Sequence, residues 1–531
     1  MFRKHDVTQQ MSLIDSDAWM DKRTKKKLGE SWAPVFYEHV YCKIDETPFA
    51  VLYDAGMGAP NFPVRILLSL ELIKEMQDIS DEALLEKYDF DYLVNYAVGN
   101  KALGARPLAE RTLYNFRERL YLHTMQQGGN EELIFGQFRE ITRGFAEASG
   151  LALGEQRIDT TLFMSNIKKA GRISLAYDVL VRAARKIPEG MRTEDTELIL
   201  SPAFKNEIMY KARASETGSK LTILLRMCRD IYEVLARLGG DTAADEKRIL
   251  SRLLEEHATT GEDGGLEARP GKEVSPKSMQ SAYDEDATYR RKGSTDNKGY
   301  VACITETCSE GNPFQLITDY AVEPNVTSDA EIIEGRLESI AGTGCDSLTG
   351  DGGFCSAKII DEARSKGIEM RYTNMTGNTD ETGRLTIDDF DTSEAGKWTC
   401  PAGHESLKVK QGKSFAHATF DISLCRDCPH SGDCPARLQK KNSVVRVGRK
   451  QLTMSRTRKE FRKNFQKNTS KRAAIEGTNS ALKRKGMDKL RVRGKIKCRL
   501  VCGLKILAQN VSRFVKFIQG YYKPKPILAH P

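Results

Sequence analysis

Apolar positions recur every three or four residues between 60 and 122, in "FPVRILLSLELIKEMQ", "SDEALLEKYDFDYLVNYAV" and "RPLAERTLYNFRERLYLH". That period places them on one face of a helix, and Ser80 precedes the second stretch as an N-cap. After Gly150 the period drops to two, and "EQRIDTTLFMSNI" alternates as a half-buried strand does. Helical spacing returns over 174–257 ("SLAYDVLVRAARKI", "LTILLRMCRDIYEVLARL", "DEKRILSRLLEEH") and stops at the linker "TTGEDGGLEARPGKEVSP", whose glycines and prolines break either pattern. Strands resume from 283. "GYVACITETC" and "PFQLITDYAVE" flank the hairpin signal "SEGN", and a helix follows at about 327–342. Then come "CDSLTGDGGF", the helix "SAKIIDEARSKG" and the strand "IEMRYT", with further helices at 470–520.

Without its inserts this order is β-β-β-α-β-α-β-α, that of a ribonuclease-H-like mixed sheet. Three strands form a meander, and helical crossovers supply the parallel ones. The expected class is α/β: a ribonuclease-H-like mixed-sheet catalytic core with an N-terminal helical DNA-binding domain, a helical insert and a small zinc-binding insert. The expected boundaries are 1–150 for the N-terminal helical domain, 151–175 for the first core strand and 176–282 for the helical insert and linker. The middle of the core follows at 283–375, a cysteine-rich insert at 376–455, and the C-terminal core helices with a third acid at 456–531.

Composition adds exclusions. A chain of 531 residues, 40% apolar and 29% charged, is that of a soluble globular protein with two to four structural units. The most apolar stretch, "CRLVCGLKILAQNVSRFVKFIQGYY", is interrupted by Lys505, Arg513 and Lys516 and reads as an amphipathic core helix. "MFRKHDVTQQMSLIDS" lacks the apolar run of a signal peptide. The expectation is a cytoplasmic, nucleoid-associated protein without a membrane partner.

Charge changes the picture more. The net charge is +9, yet Arg437 to Arg499 holds 23 Lys plus Arg against Glu460, Glu476 and Asp488, which leaves −11 for the rest. A short basic run is usually a solvated face. One longer than sixty residues, with good helix formers and an apolar rhythm, points to a structured surface for a polyanion. The N-terminal helices suit a helix-turn-helix-like reader with Arg111, Asn115, Arg117 and Arg119 on the last helix; a plain helical bundle is the alternative.

Three acids stand out. Asp159 interrupts Ile158 and Leu162 in "RIDTTL"; alone it reads as a strand-end aspartate bonding its own turn. Asp351 lies in "LTGDGGF", where a helix and a strand follow instead of a hairpin. That makes a β-α-β crossover with Asp351 at the carboxyl end of its strand. Arg472, Glu476, Asn479 and Lys483 follow at +4, +3 and +4, on one helical face. A surface Arg472–Glu476 pair, worth ~0.3–0.5 kcal/mol, does not call for Gly477, which costs about 1 kcal/mol relative to alanine. Gly477 leaves room for a large partner such as DNA backbone. Carboxylates converging from two strands and a helix suit two magnesium ions, which clamp the attacking and leaving oxygens of a phosphodiester. Arg472, Asn479, Lys483, Arg484 and Lys485 would bind the DNA around them.

Of twelve cysteines, Cys400, Cys425, Cys428 and Cys434 cluster around a C-x2-C knuckle. This spacing suits a closed structural zinc site, stapling an insert with little apolar core of its own. His404 or His430 can replace one sulfur. Cys42, Cys228, Cys303, Cys308, Cys345, Cys355, Cys498 and Cys502 read as small core residues.

These residues together resemble a DDE transposase of a bacterial insertion sequence, of the branch with a Y-(2)-R-(3)-E-(6)-K signature around the third acid. Arg472, Glu476 and Lys483 fit it, and Thr469 stands where the tyrosine is usual. "IDTTLFMSNI" resembles the first-aspartate strand, "LTGDGGF" the second-aspartate turn, and the N-terminal helices the region that binds DNA ends. The resemblance implies metal-dependent nicking at the element's terminal inverted repeats, then attack of the freed 3′-hydroxyl on target DNA. No covalent intermediate forms, and a homodimer holds the two double-stranded ends. The step of 192 residues from Asp159 to Asp351 is long for this class because the helical insert falls inside it, so Asp284 and Asp286 are rival first acids. A non-catalytic DNA-binding regulator and a nuclease without strand transfer are the alternative functions.

Overall fold

The computed structural model describes all residues except 6–19, 101, 105, 131, 211–215, 239–242, 263, 374–383, 395 and 523–531. The boundary expected at 376 lies outside the described residues.

The strand read at 155–167 is β1 (Glu155–Phe163), the centre of a six-stranded mixed sheet. On one side it pairs antiparallel with β3 (Thr295–Thr307), from Gln156 opposite Thr307 to Phe163 opposite Tyr300. Beyond β3 lies β4 (Ile317–Pro324), also antiparallel. On its other side β1 runs parallel to β5 (Ser347–Gly350), and β5 to β6 (Glu369–Tyr372). A strand not expected from the sequence, β2 (Thr288–Lys292), pairs only with the first residues of β3.

Both faces of the sheet are covered, which is why β4 and the second half of β3 are almost wholly buried. One face shares a continuous apolar core with α1 (Val64–Gln77) and the helices after it: α2 (Asp81–Phe90), α3 (Tyr92–Ala97), α4 (Glu110–Gln126) and α5 (Leu133–Ser149). Ser80 caps α2 by accepting from the Ala83 amide, as expected. The helix expected over 80–98 is broken at Asp91, whose side chain accepts from the Leu93 amide and starts a new helix. The helical insert of α6 (Arg172–Ala184), α7 (Thr217–Leu238) and α8 (Ala244–His257) buries its own cluster around Leu180, Leu224, Cys228 and Leu250.

The opposite face of the sheet packs on α9 (Asp329–Glu334), α10 (Leu337–Ala341) and α11 (Ala357–Ser365), through Ile158, Val301, Ile333, Leu348 and Ile360. The helix expected over 327–342 is thus two, separated at Gly335.

The cysteine-rich segment holds a four-stranded antiparallel sheet of β7 (Lys408–Gln411), β8 (Phe415–Asp421), β9 (Arg437–Leu438) and β10 (Asn442–Gly448). Contrary to expectation it has an apolar core: Phe390, Trp398, Ala418, Phe420, Val445 and Val447 are buried together. In "FAHATFD" and "NSVVRVG" every second residue turns inward, and the inward Ala416, Ala418 and Ser443 with the outward Phe415 and Val444 blur the alternation in the sequence.

The middle of the basic run forms one helix, α12 (Arg449–Leu482), 34 residues long and beginning some twenty residues before the expected start. Its lysines and arginines are good helix formers. The last helix, α13 (Lys495–Ile518), packs on α1, α5 and β4. Among the described residues no helix is long and apolar enough to cross a membrane.

Candidate active site

β1, the turn after β5, the start of α9 and the second half of α12 meet around a polar cavity of about 320 Å³. Asp159 enters it from the middle of β1. Burial raises its carboxyl above the ordinary carboxylate range, and Arg472 opposes that shift. Asp351 ends β5 and accepts a 2.8 Å hydrogen bond from the Gly353 amide. A Cβ on Gly353 would fall 2.6 Å from Asp329 Oδ2 and 3.0 Å from Asp351 Oδ1, so only glycine leaves space between these two carboxylates.

α12 supplies Arg472, Glu476, Asn479, Ser480 and Lys483 to the same cavity, the face that the +4, +3, +4 spacing describes. Arg472 does not pair with Glu476. Its Nη2 lies 3.2 Å from Asp159 Oδ1 and 3.5 Å from Asp351 Oδ2, so the guanidinium stands between the two aspartates. Asn479 Nδ2 donates to Asp159 Oδ2 at 3.0 Å, while its Oδ1 is buried without a hydrogen-bond partner among the described residues. Glu476 is exposed at the rim, and a Cβ on Gly477 would meet nothing within 4 Å.

A buried ionic network fixes α12 against the sheet. Glu306 on β3 accepts from Arg157 Nε and Nη2 at 2.8 and 2.6 Å, from Thr478 Oγ1 at 2.8 Å and from Arg513 Nη1 at 3.0 Å. Arg157 Nη1 also donates to the Lys471 carbonyl at 2.6 Å. These bonds set the rotation of α12 and with it the direction of Glu476.

Three charged lining residues, Asp329, Arg290 and Lys292, went unnoticed in the sequence. Asp329, at the start of α9, accepts from Thr160 Oγ1 at 3.1 Å, and burial raises its carboxyl. Arg290 and Lys292 come from β2.

Several expected DNA contacts are engaged elsewhere. Arg117 is held by Asp81, 2.7 Å from each carboxylate oxygen, and by Glu71 at 2.7 Å, which corrects its assignment as a free DNA-reading residue. Lys485 turns toward α13 and donates to Ser512 Oγ at 3.1 Å. Burial and the nearby Lys516, Arg513 and Lys505 all disfavour its charge. It too is corrected as a DNA contact, because the helix does not continue through Gly486, whose φ is +77°. Arg472 is occupied with the aspartates. Arg111 and Arg484 are exposed and Asn115 is half-buried, none of them lining the cavity. The rival acids also lie outside it: Asp284 is buried and accepts from Ser165 and, at 2.5 Å, from Tyr300, and Asp286 accepts from the Lys495 amide at 3.2 Å.

Among the described residues no group of three or more His, Cys, Asp or Glu side chains is arranged to hold a metal ion as it stands. The donor chemistry of the carboxylate cavity nevertheless fits a hard divalent cation, and Arg472 supplies positive charge where such a cation would neutralise the two aspartates. Cys400, Cys425, Cys428 and Cys434 line a second, small cavity of about 40 Å³ together with His404; His430 is not among its lining residues. Burial raises the Cys434 thiol, and the three neighbouring cysteines add to that shift. The other eight cysteines are buried or half-buried.

Two families of known proteins match the chain. Residues 399–515 match the Transposase DDE domain, and residues 31–119 match the Transposase domain (DUF772). The first match spans the four cysteines, all of α12 and most of α13; the second spans α1 to α3 and most of α4. No curated protein and no solved structure matches.

Proposed function

We propose that the chain, with its two transposase-domain matches, is a DDE transposase of an insertion sequence that nicks DNA at the element's terminal inverted repeats and joins the freed 3′-hydroxyl to target DNA. One observation carries this reading: three acids far apart in the sequence, Asp159, Asp351 and Glu476, line one cavity beside Arg472, Asn479 and Lys483. A ribonuclease-H-like core is supported by the order of the sheet, with an antiparallel meander β1-β3-β4 and two parallel strands beyond β1.

Asp159, Asp351 and Glu476 would hold two magnesium ions. When bound, such ions lower the pKa of an attacking water or hydroxyl and neutralise the leaving oxygen. The chain's own residues do the rest. Asn479 orients the Asp159 carboxylate. Arg472 releases the aspartates as the site fills and becomes available to a phosphate oxygen, for which its planar donors are suited. Lys483 adds a cation at the rim, and Gly477 keeps the helix surface low where DNA backbone approaches.

The N-terminal helices, with Arg111 and Asn115, would bind the element's ends, and a homodimer would hold two of them. The four cysteines would close around a structural zinc ion, with His404 as the spare ligand. The segments 1–150, 176–282 and 376–455 would then be additions to a split core.

Cleavage of labelled DNA carrying the element's own ends tests the reading, with Mg²⁺ or with EDTA, for wild type and Glu476→Gln. Metal-dependent nicking that the variant loses while still binding DNA is the expected result. Binding without nicking under any divalent metal would overturn it in favour of a non-catalytic regulator. Nicking without joined products would leave a nuclease.

A further inference from the structure

β2 and the first residues of β3 form a hairpin that reaches past the sheet. Thr288–Lys292 pairs with Thr295–Gly299 across the connection Gly293–Ser294, whereas β3 meets β1 only from Tyr300 onward. Gly299 makes the corner. Its φ is +129°, and a Cβ there would lie 2.5 Å from the Phe163 carbonyl oxygen, so no other residue fits.

Alternation along a strand gives the hairpin two faces. Tyr289 and Arg291 share one with Asp296: the Tyr289 hydroxyl donates to it at 2.6 Å, and Arg291 Nε lies 3.8 Å from it. Arg290 and Lys292 share the other and line the carboxylate cavity. Arg290 donates to the Asn325 carbonyl at 3.4 Å, and Lys292 has no ion pair among the described residues. Lys483 reaches the same cavity from the end of α12. The cavity therefore carries acids together with cations from two separate elements. A phosphodiester chain can lie between those cations while one of its phosphates sits over the acids.

We propose that the β2–β3 hairpin clamps the DNA backbone, with Arg290 and Lys292 binding phosphates beside the reacting one and Arg291 taking no part. This deepens the transposase reading and rests on it for the identity of the polyanion. The competing role for these two cations is internal: Asp329 is close enough for both to oppose the rise of its carboxyl, so they would only neutralise the protein's own acids. The two roles differ in what happens to bound counterions, because each phosphate neutralised contributes about 0.9 to the slope of log affinity against log salt.

The test is fluorescence anisotropy of the full-length protein with a labelled random-sequence duplex in EDTA, from about 50 to 200 mM KCl. Lys292→Ala should lower the slope by about 0.9 and Arg290→Ala with Lys292→Ala by about 1.8, while Arg291→Ala leaves it unchanged. Thermal melting of each variant checks that it is folded; if the double variant is not, Lys292→Gln replaces it. An unchanged slope for Lys292→Ala, or an equal loss for Arg291→Ala, overturns the clamp. Without metal no chemistry occurs, so failure of nicking leaves this result standing. Wild-type nicking with an unchanged slope removes the clamp alone.

Discussion

Asp159, Asp351 and Glu476 are separated by 192 and 125 residues, whereas the four cysteines fall within a stretch of 35. The carboxylate cavity is assembled by the whole core. Its walls are a central strand, a β-α-β turn and a helix locked by the Glu306 network, and it carries its own counter-cation in Arg472. The cysteine cavity belongs to one small sheet, and its sulfurs have no such cation within the cavity lining. The Cys434 thiol, raised by burial, stays protonated until a metal displaces its proton. On the proposed reading the difference teaches that one site is shaped before any ion arrives, while the other would close around its ion.

The largest effect should come at the shaped site. Glu476→Gln is expected to cut nicking on the order of 10³-fold, leaving the melting temperature and DNA affinity as in wild type; a lower melting temperature would show that the glutamate supports the fold. Next is the lock beneath it. Glu306 is fully buried, so Glu306→Ala leaves Arg157 and Arg513 unpaired and should cost about 3–5 kcal/mol in urea denaturation. A cost below about 1 kcal/mol, the worth of a surface pair, would mean that the core does not depend on this network.

Chelation is the direct contrast between the two sites. A strong zinc chelator should open residues 384–448 to protease while Mg²⁺ removal leaves the digestion pattern unchanged, because structural zinc sites couple binding to folding. Equal protection with and without chelator would erase the comparison. The smallest effect is expected for Arg472→Gln, which removes a partly exposed ion pair. It should lower the stability of the metal-free protein by about 1 kcal/mol, and added Mg²⁺ should then raise its melting temperature more than that of wild type. No difference in the Mg²⁺ response would show that the guanidinium does not stand in for a cation.

That the three acids share one cavity was legible because each lies in a local pattern that secondary structure alone does not need: a charge inside an apolar strand, an Asp-Gly followed by a crossover, and a glutamate beside a helical glycine. Asp329 was not. "SDAE" reads as an ordinary capped helix start, and Ser328 does cap α9, so its second task leaves no separate trace. Arg290 and Lys292 sit in a five-residue strand whose charges hide its alternation. Arg117 was misread because helical spacing reveals a face but not its neighbours, which are 36 and 46 residues away. Lys485 was misread because the spacing argument assumes a helix that Gly486 ends. The meander and crossover order was readable in the sequence. The β7–β10 sheet was not, since its inward positions include Ala416, Ala418 and Ser443 while Phe415 and Val444 face outward.

The length of α12 has a further consequence. Near its start Leu452 is buried in the insert's core and Arg458 pairs with Asp388 at 2.5 Å; near its end Glu476 faces the carboxylates. Between these fixed points the helix is a rod with no slack. Adding or deleting one residue would turn everything beyond it by about 100° and shift it by about 1.5 Å, swinging Glu476 away from Asp159. Over evolutionary time the stretch from Arg458 to Arg472 is therefore held to its count, and length variation among related chains must collect in the loops on either side.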